Sequence, residues 1–111
     1  MFTNPSVKLK QDKNGVAFKF YDGETCLVTF HIETQEHIWD VKQKKIAQHI
    51  EKGIPTIIVS NESMEFYVGQ GWIKFDFLSY EDHYPQLSCA VCLPLEPFKK
   101  DLIACCTSLW K

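Results

Sequence analysis

The first third of the chain alternates hydrophobic and polar residues with a period of two, which is the pattern of half-buried β-strands. Asn14-Gly15 and Asp22-Gly23 divide this region into three alternating runs. Both dipeptides favour the positive φ angles of tight hairpin turns. The pattern therefore predicts a meander of three antiparallel strands. Its hydrophobic positions are Val7, Leu9, Val16, Phe18, Phe20, Cys26, Val28, Phe30 and Ile32.

A helix is predicted after this meander, between residues 40 and 53. Asp40 and Gln43 have the spacing of an N-terminal capping pair. Gly53 followed by Pro55 is a typical helix stop. The hydrophobic positions of the predicted buried face are Ile46, Ala47 and Ile50, with Trp39 above them.

The second half of the chain repeats the plan of strands followed by a helix. Residues 56–60 are typical of a short, fully buried strand. Alternating runs on both sides of Gly69-Gln70-Gly71 predict a hairpin, and a loop at residues 80–85 separates it from a last strand. Pro97 then opens a second helix. The predicted buried face of this helix consists of Phe98, Leu102, Cys105, Cys106 and Leu109, with Trp110 beside it.

The order of elements is therefore βββα–ββββα. Strands that run together between two helices favour an α+β fold with antiparallel sheet. We expect a single domain over residues 1–111, built from antiparallel β-meanders with two packing helices that cover one sheet face. At 111 residues the chain has the commonest domain size, and 45% hydrophobic residues exclude a disordered chain.

The sequence also carries expectations about the compartment. No apolar run is long enough to span a bilayer, and residues 1–10 lack the apolar segment of a signal peptide. The five cysteines are an odd number and two of them are adjacent, which does not suit a disulfide framework. We therefore expect a soluble intracellular protein of the cytoplasm or nucleus with no membrane partner, in the host cell if the source is viral.

Charge is unevenly distributed along the chain. Residues 1–20 and 41–55 each carry a net charge of +3, whereas residues 21–40 and 56–98 each carry −5. Such segregation predicts a bipolar surface that can self-associate. All 12 basic residues are lysines, and the absence of arginine weighs against specific recognition of duplex DNA.

No residue pattern in the chain has the spacing of a catalytic or metal site. Cys89 and Cys92 are three apart within a predicted strand, so their side chains should point to opposite faces and no second pair completes a zinc site. His83 follows Glu81 and Asp82 in a polar loop, which is more typical of a solvated loop than of an acid–base pair. We expect no metal, no cofactor and no enzymatic activity.

The remaining candidate is the sheet face opposite the predicted phenylalanine core. If Phe18, Phe20, Phe66, Phe75 and Phe77 point inward, a second set of alternating residues points outward. This set consists of Lys19, Tyr21, Tyr67, Trp72 and Lys74. Aromatic side chains on such a face are typical of a protein interface. Aromatics interleaved with lysines also suit stacking on single-stranded nucleic acid.

We expect a non-catalytic protein-binding module that forms a homodimer and contacts another protein. Single-stranded nucleic-acid binding through the same face is the alternative. The order of elements looks like that of sheet-based single-strand binders of the Whirly and PUR types, a resemblance of topology that covers no motif residues. The compact, lysine-only sequence would also suit a viral or phage accessory protein.

Overall fold

The computed structural model describes residues 2–13, 15–33, 45–60, 64–81 and 84–108, and confirms the predicted order of elements. Three strands form an antiparallel N-terminal sheet: β1 (Pro5–Asp12), β2 (Gly15–Asp22) and β3 (Thr25–Glu33). Four strands form an antiparallel C-terminal sheet: β4 (Thr56–Ser60), β5 (Met64–Val68), β6 (Trp72–Glu81) and β7 (Tyr84–Pro94). Helix α1 (Ile46–Lys52) links the sheets, and a short 3₁₀ turn (Glu96–Phe98) leads into helix α2 (Lys99–Ser108). No helix among the described residues is long and apolar enough to cross a membrane.

Phenylalanine rings join the two sheets. Phe18 and Phe20 of β2 contact Phe66 of β5, with ring centroids 5.4 and 6.2 Å apart. Phe30 of β3 contacts Phe75 of β6 at 5.4 Å. All eight phenylalanines of the chain belong to this one network, whose other members are Phe2, Phe77 and Phe98. The inward orientation that the alternating pattern predicts for Phe18, Phe20, Phe66, Phe75 and Phe77 is confirmed, and the two sheets cover each other's apolar faces.

The expectation that both helices cover one sheet face is wrong. Helix α2 packs against β1 and helix α1 against β4, which are the outer strands of their sheets, and the two helices contact each other. Because each sheet already buries its phenylalanine face against the other sheet, the helices pack at one side of the sheet pair. Their buried residues close the core there, among them Ile46, Ala47, Ile50, Leu102, Cys105 and Cys106.

Helix α2 supplies hydrogen-bond partners to the backbone of Val7 on the free edge of β1. The backbone N–H of Val7 donates to Oδ2 of Asp101 at 3.1 Å, and the Cys105 thiol donates to the Val7 carbonyl at 3.7 Å. Asp101 and Cys105 are four residues apart and therefore lie on the same helix face. An unpaired strand edge is a template for pairing with other chains, so this helix covers the edge that β1 would otherwise expose.

Helix α1 ends where the sequence predicts. Gly53 adopts a left-handed conformation with φ 76°, and the N–H of Ile54 donates to the carbonyl of His49 at 2.9 Å. A side chain at this φ would be strained, which explains the glycine. The helix begins at Ile46. The predicted capping pair Asp40 and Gln43 lies outside the described residues, as do Trp39, Leu109 and Trp110.

The strands differ from the sequence expectation at three points. A bulge pairs Cys26 with Tyr21, so Cys26 is exposed rather than in the core. Ile57 is exposed, because it lies on the face of the C-terminal sheet that points away from the N-terminal sheet, whereas Ile58 is buried. The expectation that β4 is buried on both faces is therefore wrong. The loop predicted at residues 80–85 is also wrong, since Tyr80 pairs with Pro85 between β6 and β7.

Loss of a ring from the phenylalanine network should lower the free energy of unfolding more than loss of an exposed ring. We expect Phe66→Ala to lower the free energy of unfolding by about 3–5 kcal/mol, because it leaves a cavity between the sheets. Trp72→Ala removes a side chain that is 54% exposed in the single chain. At protein concentrations low enough for the chain to be monomeric, it should change the free energy of unfolding by less than about 0.5 kcal/mol. Urea denaturation followed by circular dichroism measures both values, and equal losses would contradict the assigned core.

The contact between Asp101 and β1 can be tested separately. We expect Asp101→Ala to cost about 1–3 kcal/mol of stability, because the Val7 N–H loses its acceptor at a part-buried position. Asp101→Asn keeps an oxygen acceptor of the same shape and should retain most of that stability. Thermal unfolding measures the stability of both variants. Equal losses of stability for alanine and asparagine would argue against the contact between Asp101 and β1.

Candidate functional site

The five predicted site residues do not share one surface. Lys19 and Tyr21 lie on the outer face of the N-terminal sheet, whereas Tyr67, Trp72 and Lys74 lie on the outer face of the C-terminal sheet. The inner faces of the two sheets pack against each other, so their outer faces point in opposite directions. The single platform expected from the alternating pattern is therefore wrong, and the molecule carries two distinct surfaces.

The first surface, here called the aromatic face, is the outer face of the C-terminal sheet. One row of cross-strand neighbours runs across all four strands and consists of Ile57, Tyr67, Lys74 and Cys92. Trp72 lies beside this row, opposite Pro94. Trp72 and Ile57 are 54% and 51% exposed. Sequence reasoning missed Ile57 because a run of three β-branched residues is typical of a strand buried on both faces.

Tyr67 is held against the backbone of the hairpin that follows it. A Cβ atom on Gly69 would lie 2.8 Å from Cε1 of the Tyr67 ring, which is closer than a real contact allows. Glycine at position 69 therefore lets the ring lie flat over the chain. The ring is half-buried as a result, and Trp72 is the more accessible aromatic side chain of this face.

The other end of the aromatic face is acidic. Asp76 and Glu65 are cross-strand neighbours, and Ser60 donates a hydrogen bond to Oε2 of Glu65 at 3.4 Å. Lys74 forms an ion pair with Oδ2 of Asp76 at 3.6 Å, while Oδ1 of Asp76 is buried without a hydrogen-bond partner. Two carboxylates against one lysine give the described part of this face a net negative charge.

The second surface, here called the lysine face, is the outer face of the N-terminal sheet. Lys8 and Lys19 are direct cross-strand neighbours, and Lys10 follows Lys8 on the same face of β1. Tyr21 completes the group, since the Lys8 ammonium lies 5.2 Å from the centroid of its ring. Sequence reasoning identified Lys19 and Tyr21 but not their β1 neighbours, because the pairing register of β1 decides that contact.

The cysteines do not form a reactive cluster in the described residues. Burial raises the pKa of the Cys106 thiol to about 12, and burial together with the Asp101 carboxylate raises the pKa of the Cys105 thiol to about 11. Both therefore stay protonated at neutral pH and act as small apolar side chains of α2. Cys92 is exposed on β7 and pairs with Lys74, and the side chain of Cys89 lies outside the described part of the structure.

The described residues also contain no group of three or more histidine, cysteine or acidic side chains that could hold a metal ion. His83 and its neighbour Asp82 lie outside the described part of the chain. The described residues thus present two outer sheet faces, one with exposed Trp72 and Ile57 and the other with three lysines and Tyr21.

Comparison with family models, with curated proteins and with solved structures found no match for this chain.

Proposed function

We propose that the protein is a non-catalytic binding module whose aromatic face contacts protein, with a second copy of the chain as its partner. The proposal depends on the position of the exposed large hydrophobic side chains. Within the described residues these are Ile54, Ile57 and Trp72. Two of the three lie on the aromatic face, and Ile54 lies just before the strand that carries Ile57.

The strand register brings these side chains to the same end of the C-terminal sheet. Thr56 at the start of β4 pairs with Val68, and Val68 pairs with Ile73 at the start of β6. Ile54 and Trp72 therefore flank the same row of the sheet. Single exposed hydrophobic residues are common on monomers, but a contiguous group of them is typical of an interaction surface.

The composition of the aromatic face favours a protein partner over nucleic acid. Tryptophan and tyrosine are enriched at the centres of protein interfaces, where their rings supply much of the binding energy. The carboxylates of Glu65 and Asp76 lie on the same face as Lys74 and would repel a phosphate backbone. This charge balance supports a protein interface.

The charge pattern also supports a second copy as the partner. A two-fold interface uses the same patch on both subunits, so the patch must be complementary to itself. The aromatic face combines an apolar end with one lysine and two carboxylates. In a two-fold pair the apolar ends can cover each other while opposite charges meet.

Trp72→Ala tests this proposal. We expect the natural chain to sediment as a dimer at micromolar concentration. Trp72→Ala should weaken the dimer by about 30-fold or more, since interface aromatics that anchor a contact contribute about 2 kcal/mol or more. Sedimentation velocity over a concentration series measures the dissociation constant.

Tyr21→Ala is the matched control, because it removes an aromatic ring from the opposite face and should leave the dimer unchanged. Circular dichroism checks that both variants keep the fold. A natural chain that stays monomeric at all accessible concentrations would contradict the proposal, as would equal weakening by the two substitutions.

A further inference from the structure

We propose that the lysine face binds the phosphate backbone of single-stranded nucleic acid, independently of the aromatic face. Lys8, Lys10 and Lys19 lie on this face, and Thr29 and His31 of β3 continue it. Among the side chains described on this face none is acidic. In the register, Asp12 follows Lys10 by two positions and Glu33 follows His31 by two positions. Both pair with Gly15, at the end of the sheet away from Lys8 and Tyr21.

The lysine pair is unfavourable for the isolated protein. Like charges directly opposite each other on neighbouring strands destabilise a sheet. Lys8 and Lys19 are such a pair, and an acidic residue at either position would have removed the repulsion. The contact that relieves it is the one between the Lys8 ammonium and the Tyr21 ring. A binding surface for a polyanion explains two lysines at these positions, because phosphates would supply negative charge between them.

The spacing of the lysines suits an extended chain of phosphates. Lys8 and Lys10 are two residues apart on one strand, which separates them by about 6.8 Å. Lys19 lies beside Lys8 on the neighbouring strand, at about 4.8 Å across the sheet. A single strand that runs along β1 would therefore meet one ammonium group at each of two successive phosphates, with a third beside them.

Tyr21 supplies a stacking surface next to these charges. The Lys8 ammonium covers its ring at 5.2 Å, an interaction of about 0.5–1 kcal/mol at an exposed site. Stacking of a base on an aromatic ring is worth about 1–3 kcal/mol, so a base can displace the ammonium group. The displaced Lys8 then pairs with a phosphate of the same strand. Movement of the Lys8 side chain thus exposes the Tyr21 ring to a base and brings the ammonium group to a phosphate of the nucleic acid.

Duplex nucleic acid and membranes fit this surface less well. A duplex is read by a helix or a narrow ribbon that enters a groove, and a broad sheet face does not enter one. An amphipathic membrane-binding surface combines basic residues with apolar side chains that enter the lipid. The exposed large hydrophobic residues within the described part of the chain lie elsewhere, at Ile54, Ile57 and Trp72.

Fluorescence anisotropy with a fluorescein-labelled oligothymidylate tests the proposal. We expect the natural chain to bind at low salt with an affinity that falls as salt rises. The variant Lys8→Gln, Lys10→Gln, Lys19→Gln should lose most of the binding, and its slope of log affinity against log salt should be smaller by about 2. Tyr21→Leu should weaken binding about fivefold or more while leaving the salt slope unchanged.

The matched control is Lys52→Gln, Lys99→Gln, Lys100→Gln, which removes the same charge from the two helices and should bind like the natural chain. Lys19→Glu is a second test that does not depend on the triple variant. It should raise the melting temperature, since it creates an opposite-charge pair with Lys8, and it should also abolish binding.

Four outcomes would overturn the proposal. They are no binding at low salt, equal loss in the helix control, equal or tighter binding to a duplex, and equal or tighter binding to phosphatidylcholine vesicles that contain phosphatidylserine. The last two would assign the basic surface to duplex nucleic acid or to a membrane.

Discussion

The contact between phenylalanine rings of the two sheets is the interaction on which the rest of this structure depends. The Phe20 ring contacts rings from β5, from β6 and from the 3₁₀ turn before α2, so it connects three parts of the core. Each sheet would expose a row of aromatic side chains if it stood alone. Packing the two rows together removes that surface from water, which is the dominant favourable contribution to folding. The helices then need only close one side of the pair, where α2 also satisfies the free edge of β1.

This packing decides where function can lie. Once the inner faces are buried against each other, the two outer faces are separated by the full thickness of the molecule and can evolve different chemistry. The C-terminal sheet carries exposed Trp72 and Ile57 together with carboxylates, and the N-terminal sheet carries a cluster of lysines around Tyr21. A partner bound to one face does not compete with a partner bound to the other. The two proposals are therefore compatible, and each can fail without the other.

The sequence predicts the elements well because their signals are local. Alternation, the turn at Gly23 and the stop at Gly53 all act within a few residues. The arrangement of those elements depends on contacts far apart in the chain, such as Phe18 with Phe66, and no local pattern specifies them. One sheet or two sheets give the same alternation, so the single-face hypothesis placed Lys19 beside Lys74. The bulge that exposes Cys26 and the register that brings Lys8 to Tyr21 could not be predicted either, because no local pattern specifies them.

Through-space proton contacts measured by NMR show whether the two outer faces point in opposite directions. The structure predicts cross-peaks from the Phe20 ring to the rings of both Phe66 and Phe75, which lie on the other sheet. It also predicts none between the side chains of Tyr21 and Trp72, because the core separates them. A cross-peak that joins Tyr21 or Lys19 to Trp72 or Lys74 would contradict the account, since it would place the two sets of residues on one surface.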